Sequence, residues 1–221
     1  ESDISVDSPT NNFCTWNPLA NAVGTTLSEG NLKSVSSYSS DKNVFSTFGI
    51  TSGKWYFEIY DLYQGVRGNI LITDAGHNEG LGTNYARVKL HDGGIATSAT
   101  DNGDLSAFSS GDILCVAVNL DDGEIYFSKN SNIDTSGTAQ ITNFPLTGTN
   151  RDYRISYFET SSTETDVIAN FGQDSSFAGN KTAQGNQDSN DIGDFYYTPP
   201  TGFLALCTKN LPDVAVTPSE H

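Results

Sequence analysis

Two short acidic segments carry the residue types that could bind a metal ion. Asp101 and Asp104 flank an Asn-Gly pair, and Asp188 and Asp191 lie in a run rich in Asp, Ser and Asn. Calcium takes carboxylate and carbonyl oxygens as ligands, so these four aspartates are candidate calcium ligands. Neither segment completes an EF-hand loop with its terminal Glu, and the same residue types are common in turns. Calcium is the one cofactor that the sequence leaves open.

Combinations of side chains that could catalyse a reaction are scarce. The histidines are His77, His91 and His221, and no Gly-x-Ser-x-Gly elbow presents a nucleophile. Glycoside cleavage needs two facing carboxyl groups, but no pair stands out in so acidic a chain. Glu58, on the outer face of a predicted strand, is interpreted as a solvated surface residue. The sequence therefore predicts a protein that is not an enzyme, with a carbohydrate-active enzyme as an alternative.

The cysteines Cys14, Cys115 and Cys207 are too far apart in sequence for the short ligand spacing of a zinc site. Cys115 lies inside the apolar run 113–118 and is predicted to be a small buried hydrophobic residue. An odd, low count does not indicate a disulfide framework. One bridge between Cys14 and Cys207 is left open.

The charge balance limits the class of partner. The 221 residues include 27 acidic and 11 basic side chains, which gives a formal net charge of −16. Such a surface repels phosphate backbones, so neither nucleic acid nor an anionic membrane is expected as a partner. No apolar run approaches the roughly 20 residues of a membrane span. Because the chain begins at Glu1 and contains no Met, we expect a processed product or a fragment of a longer protein.

The elements that would position these residues are strands. Charged residues make up only 17% of the chain, glycines number 21, and no stretch has sustained helical periodicity, so the sequence predicts an all-β fold. Within residues 54–60, Trp55, Phe57 and Ile59 fall on one face, which is the predicted core face.

The sharpest local signal is a hairpin within residues 113–128. Asp122-Gly123 is typical of a two-residue type I′ turn. That turn would place Leu120 opposite Ile125, so that apolar side chains of both strands share one face.

The rest of the chain divides into predicted strands and polar segments. Residues 173–194 carry few apolar side chains and are predicted to form a long exposed loop. We predict an arm or linker over 1–12, a sandwich over 13–207, and a tail or linker to a further domain over 208–221. Further strands are predicted within 26–35 (two short strands), 70–73, 86–90, 153–158, 167–171 and 203–207.

Three motifs, in this order, resemble those of SPRY domains. They are 53–58 (Gly-Lys-Trp-Tyr-Phe-Glu), the hairpin 111–130 and 170–173 (Asn-Phe-Gly-Gln). One departure is Ser131, where the family usually has Gly. The resemblance spans roughly residues 13–177. It implies a concanavalin-like antiparallel β-sandwich, the SPRY-type jelly roll, with a non-catalytic binding role.

The flanking segments resemble a narrower group. Residues 7–19 and 195–212 are similar to the ends of SPRY-like modules in bacteriophage tail and other virion structural proteins. This resemblance implies a virion or extracellular location and a homo-oligomer. It also implies a partner that is a protein or glycan on a host surface, or another virion protein. A homo-oligomeric assembly subunit without receptor binding is the alternative.

By the resemblance to SPRY domains, loops at one end of the sandwich would bind the partner. These loops would be 62–69, 76–85, 99–108 and the approach to Tyr153. Aromatic and polar residues in such loops are favoured anchors. The candidate partner-binding residues are therefore Tyr63, Arg67, His77, Asn78, Asn84 and Tyr85.

Overall fold

Fourteen strands and no helix make up the regular structure of the residues that the computed structural model describes, namely 10–21, 24–36, 42–62, 68–74, 84–144, 152–159 and 165–212. The strands are β1 (Trp16–Asn21), β2 (Thr25–Ser28), β3 (Lys33–Ser36), β4 (Lys42–Ile50), β5 (Lys54–Asp61), β6 (Gly68–Thr73), β7 (Tyr85–Lys89), β8 (Gly94–Thr97), β9 (Asp101–Asp104), β10 (Ile113–Asn119), β11 (Glu124–Lys129), β12 (Tyr153–Glu159), β13 (Thr165–Asn170) and β14 (Leu204–Ala205).

These strands form two sheets that stack around a common core. The first sheet has the order β1-β4-β12-β6-β7-β8-β9, and the second has the order β11-β10-β5-β13-β3-β2. Neighbours along each order are antiparallel, and β14 alone runs parallel, beside the start of β5. There is room for β14 because β13 ends at Asn170, opposite Glu58 in the middle of β5. The predicted antiparallel β-sandwich is confirmed.

The alternation predicted for β5 is confirmed on its core face and needs correction on its outer face. Trp55, Phe57 and Ile59 lie in the core between the sheets. Tyr56 and Glu58 point the other way, yet both are fully buried. The interpretation of Glu58 as a solvated surface residue was therefore wrong. The reason is a third layer that sequence periodicity did not reveal.

That layer is the cover segment, which we define as residues 171–207. It lies on the outer face of the second sheet, where the Phe195 ring packs edge-on against Tyr56 with centroids 5.0 Å apart. Phe177 stacks on Tyr60 at 5.3 Å. The second sheet is therefore apolar on both faces, because one faces the first sheet and the other faces the cover.

The predicted polar loop at 173–194 forms most of this cover. It contains no strand, in keeping with its composition, and residues 182–185 are exposed. Phe177 and Ile192 are nevertheless buried against the second sheet. A few apolar anchors are enough to hold a segment whose backbone polar groups are satisfied locally.

The hairpin between β10 and β11 has a different register from the predicted one. Val118, and not Leu120, lies opposite Ile125, so the loop has four residues instead of two. Gly123 has a φ of 72°, whereas Asp122 does not have a positive φ, and a type I′ turn requires both. The register differs by two residues, and a shift of two preserves which side chains face the core.

The cysteines are all free and buried. Cys14 belongs to the core between the sheets, whereas Cys207 belongs to the cluster beneath the cover. Cys14 and Cys207 are nevertheless close in the structure, because Phe13, the residue before Cys14, forms an antiparallel β-bridge with Cys207. Successive residues of an extended chain point to opposite faces, so the disulfide left open by the sequence is not present.

Hydrogen bonds join the segments near the two ends of the described chain. Asn12 N–H donates to Thr208 Oγ1 at 2.9 Å, and Lys209 N–H donates to Asn11 Oδ1 at 3.1 Å. The domain boundaries at 12 and 207 remain predictions. In this structure, residues 11–12 of the predicted arm form hydrogen bonds with residues 208–209 of the predicted tail. No helix within the described ranges is long and apolar enough to cross a membrane.

Candidate functional site

One end of the sandwich is marked by the loops that follow β6 and β8. Asp74 N–H donates to the Asn84 carbonyl at 3.1 Å, and Ser98 N–H donates to the Tyr85 carbonyl at 3.2 Å. Tyr153 begins β12 at the same end, because the next residue of β12 pairs with the end of β6. We call this the Asn84 end.

The opposite end carries the β7–β8 turn and the approach to β10. Leu90 N–H donates to the Gly68 carbonyl at 2.8 Å, and Phe108 N–H donates to the Leu90 carbonyl at 2.9 Å. Ser110 Oγ donates to the Leu62 carbonyl. We call this the Gly68 end.

The four loops that the resemblance assigns to one end are divided between these two ends. The described residues that flank 63–67 lie at the Gly68 end, and those that flank 75–83 lie at the Asn84 end. The loop 99–108 runs from the Asn84 end, at Ala99, to the Gly68 end, at Phe108, and Tyr153 lies at the Asn84 end. Tyr63, Arg67, His77 and Asn78 lie outside the described residues, and their contact with a partner stays a prediction.

Asn84 holds the base of the β6–β7 loop. Its backbone N–H and its Nδ2 each donate to an Asp74 carboxylate oxygen, both at 2.9 Å. Together with the Asp74 N–H bond, three hydrogen bonds close the base of this loop. Asn84 is only 4% exposed, so it is placed to position the loop and not to contact a partner directly.

Tyr85 and Arg87 lie on the outer face of the first sheet beside the Asn84 end. Ala86 and Val88 point into the core, and the alternation of a strand therefore turns Tyr85 and Arg87 outward. The Arg87 guanidinium carbon lies 5.6 Å from the Tyr85 ring centroid, a cation–π contact. Both side chains are half-buried.

Arg87 differs from most of the other cations. Within the described ranges it has no carboxylate partner, and its Nε is shielded from solvent without a hydrogen-bond acceptor. Arg87 was not among the candidates selected from the sequence, because those were residues in loops and Arg87 lies in a strand. The alternation Tyr-Ala-Arg-Val-Lys at 85–89 could have indicated that Arg87 faces outward beside Tyr85. Other cations are paired with aspartates at 2.8–3.4 Å: Lys33 with Asp166, Lys54 with Asp122, Lys89 with Asp92, Lys129 with Asp112, and Arg154 with Asp152.

The calcium candidates do not come together. Asp101 and Asp104 are exposed on the edge strand β9, whereas Asp188 is buried within the cover segment. The Asp188 carboxylate accepts four N–H donors, including the backbone of Ala205. Asp191 is exposed, and its backbone N–H donates to the Asp188 carbonyl. No group of three or more His, Cys, Asp or Glu side chains in the described part of the chain is arranged to hold a metal ion.

Glu58, the best-placed carboxyl group for acid catalysis by its raised pKa, is sealed from solvent. Its exposure is 0%, and burial raises its pKa from 4.5 to about 7, against the opposing effect of its hydrogen bonds. The groups that donate hydrogen bonds to its carboxylate are all groups of the protein, on the second sheet and the cover. A substrate therefore cannot reach Glu58 while the cover is in place.

The fold has clear counterparts among solved structures. The chain matches no family model and no curated protein. It is similar to the SPRY domain of human HERC1, with 14% identity, a TM-score of 0.56, and coverage of 70% of this chain and 96% of that one. The TRIM65 PSpry domain follows with 11% identity, a TM-score of 0.49, and coverage of 72% and 92%. Stonustoxin has 19% identity, a TM-score of 0.48, and coverage of 71% and 27%.

The similarity to the HERC1 domain establishes a SPRY-like fold for this chain. At 14% sequence identity, the similarity supports a shared architecture but not a shared ligand or reaction.

Proposed function

We propose that this protein is a non-catalytic binding module whose partner docks at the Asn84 end and on the adjoining outer face of the first sheet. The observation that carries the proposal is the pair Tyr85 and Arg87. Among the described residues Arg87 has no carboxylate partner, in a chain with 27 acidic and 11 basic residues, and its guanidinium lies over the Tyr85 ring.

The chemistry of this pair suits recognition. A guanidinium stacked on an aromatic ring is held flat and still presents its edge N–H groups, which can donate to a carboxylate or carbonyl. Arginine and tyrosine are also among the residues that most often dominate binding energy. Asn84 supports the same surface by fixing the base of the neighbouring loop.

The architecture favours the same surface. The outer face of the second sheet is occupied by the cover segment, so a partner cannot dock directly on its strands. SPRY-like domains generally serve in protein–protein interactions, which fits a partner-binding role on the side that the cover leaves free.

The test is binding of the purified protein to host cells, a glycan array and purified virion proteins, with two matched variants. Arg87 lies over the Tyr85 ring. On the opposite side of the molecule, Lys181 of the cover lies over the ring of Tyr60 in β5, with Nζ 5.5 Å from the ring centroid. We expect Arg87→Ala to weaken binding by about tenfold or more, and Lys181→Ala to leave it unchanged.

Two results would contradict the proposal. The first is no binding to any of the three classes of target. The second is an equal loss in both variants, which would point to a general charge effect and not to a surface at Tyr85 and Arg87.

The setting of this module is a further part of the proposal. The resemblance of residues 7–19 and 195–212 to modules of bacteriophage virion proteins supports a place on a virion, outside the cell, with a host-surface protein or glycan or another virion protein as partner. Light scattering of the purified protein tests the associated expectation of a homo-oligomer. The three classes of target in the binding experiment separate the partners.

A further inference from the structure

The Glu58 carboxylate joins the second sheet to the cover segment. Oε1 accepts hydrogen bonds from the Tyr197 N–H at 2.7 Å and from the Tyr56 hydroxyl at 3.0 Å. Oε2 accepts from the Tyr196 N–H at 3.0 Å and from Asn170 Nδ2 at 3.1 Å. Two of the four donors are backbone groups of the cover, so one carboxylate holds the sheet and the cover together.

No cation of the described residues pairs with this buried carboxylate. The ion pairs of the described residues all lie elsewhere. Cys115 lies directly opposite Glu58 on β10, and β13 contributes the neutral Asn170. Taking an ionised carboxylate out of water carries a large penalty, which the four hydrogen bonds offset only in part.

The titratable groups that face Glu58 are tyrosine hydroxyls and one cysteine thiol. They are Tyr56 on its own strand, Cys115 on β10, and Tyr196 and Tyr197 on the cover. Burial raises the pKa of the Tyr56 hydroxyl and of the Cys115 thiol, and it raises the pKa of Tyr197 to about 12. These three groups therefore stay neutral in the range where Glu58 titrates.

We propose that Glu58 is a proton-controlled latch for the cover segment, which is held most firmly in acidic medium and opens more readily as the pH rises to neutrality. Opening would expose Tyr56, Tyr60 and Tyr126 on the outer face of the second sheet. This proposal is independent of partner binding at Tyr85 and Arg87, which lie on the other sheet.

The direction follows from proton linkage. In the closed state the pKa of Glu58 is about 7, and in an open state exposed to water it returns toward 4.5. The closed state therefore binds the proton more tightly. Its added stability is fully present below about pH 4.5 and is lost as the pH rises through about 7. The difference of about 2.5 pKa units corresponds to an opening constant that rises by about 300-fold across this range.

Hydrogen exchange of the Tyr196 and Tyr197 amides, measured by NMR from about pH 5 to about pH 8 and corrected for intrinsic exchange rates, tests the latch. We expect their opening constant to rise by about 70-fold between these two pH values, and to exceed that of Val116 in β10, which reports global unfolding. In Glu58→Gln the rise should disappear. Glu124→Gln is the matched control, because the Glu124 carboxylate on β11 likewise accepts from a tyrosine hydroxyl, that of Tyr126 at 2.9 Å. This variant should keep the rise.

An opening constant that does not change with pH would overturn the proposal. Equal constants for Tyr196 and Val116 would also overturn it, because the cover would then open only when the whole domain unfolds. If Glu58→Gln does not fold, titration of the Glu58 carboxyl carbon in the wild-type protein decides the matter. A midpoint near 7 supports the latch, and one near 4.5 contradicts it.

Discussion

At the scale of single residues, buried carboxylates accept the backbone N–H hydrogen bonds that carbonyl groups of a neighbouring strand accept in a regular sheet. Asp188 is 5% exposed. Its Oδ1 accepts from the N–H groups of Asn190 and Ile192 at 2.8 and 3.0 Å. Its Oδ2 accepts from the Ala205 N–H and from Asn210 Nδ2, both at 2.7 Å. One acidic side chain thereby fixes the turn at 188–192 and attaches it to β14.

This role leads to a prediction for Asp188→Asn. The amide NH2 would face N–H donors where a carboxylate oxygen now accepts, and buried donors would lose their acceptor. We expect the free energy of unfolding to fall by about 3 kcal/mol, measured by urea denaturation.

The control for this prediction is Asp191→Asn. Asp191 belongs to the same acidic run but is exposed, so its replacement should change stability by less than about 0.5 kcal/mol. Repeating both measurements with calcium and with a chelator separates the two roles of Asp188. If the loss in Asp188→Asn appeared only in the presence of calcium, Asp188 would be a metal ligand and not a hydrogen-bond acceptor for the fold.

At the scale of elements, strands were predictable wherever one face is core. The apolar alternation of β5 identified Trp55 and Phe57 correctly. The cover was not predictable in the same way, because its anchors, such as Phe177 and Phe195, are spaced without a period. An indirect signal was present in β10, whose outward Cys115 and the residues around it are as apolar as its inward ones. An outer face of that composition indicates a further layer.

Site residues were harder to predict than strands for a related reason. Asn84 was recognised by its place in a loop, but the structure gives it a positioning role through Asp74. Arg87 was overlooked because the lack of a partner for its charge is a property of the folded surface. Sequence patterns report which face a side chain takes, and they do not report which side chains meet across strands.

The hairpin loop between β10 and β11 provides a prediction at this scale. Gly123 has a φ of 72°, and a Cβ at this position would lie 2.7 Å from the Phe144 carbonyl oxygen. Gly123→Ala would therefore add backbone strain and a steric clash with a main-chain atom. We expect a loss of at least about 2 kcal/mol in the free energy of unfolding, measured by thermal or urea denaturation.

Gly103→Ala separates the clash from the strain. Gly103 has a φ of 90° on β9, but a Cβ there would meet nothing within 4 Å. Only the conformational term remains, so the loss should be about 1 kcal/mol. Equal losses in the two variants would show that contact with Phe144 does not fix the loop.

At the scale of the whole molecule, the protein consists of three layers with different exposure. The first sheet has an outer face that carries Tyr85 and Arg87, the second sheet lies in the middle, and the cover segment forms the third layer. The proposed partner-binding surface lies on the first sheet, on one side of the molecule. The order of the layers places an ionisable latch, Glu58, on the other side, so the two proposals can be tested separately in one protein.

The same layering decides the chemistry of the cysteines. Cys14 lies in the core between the two sheets, whereas Cys115 of the second sheet and Cys207 of the cover belong to the cluster that these two layers form. Burial raises the pKa of the Cys14 thiol to about 11 and also raises that of Cys115 and Cys207. Because the thiolate is the reactive form, we expect a thiol reagent to label none of the three in the native protein at neutral pH, and all three after unfolding in urea.

A reductant provides the complementary measurement. Because the three thiols are free and lie in two different layers, the melting temperature should be the same with and without dithiothreitol. A bridge between Cys14 and Cys207 would have to cross the backbone pairing of Phe13 with Cys207. It would constrain the unfolded chain by closing almost its whole length, so its reduction would remove about 4 kcal/mol or more of stability. A fall in melting temperature on reduction would therefore show that the two ends of the described chain pack differently from this structure.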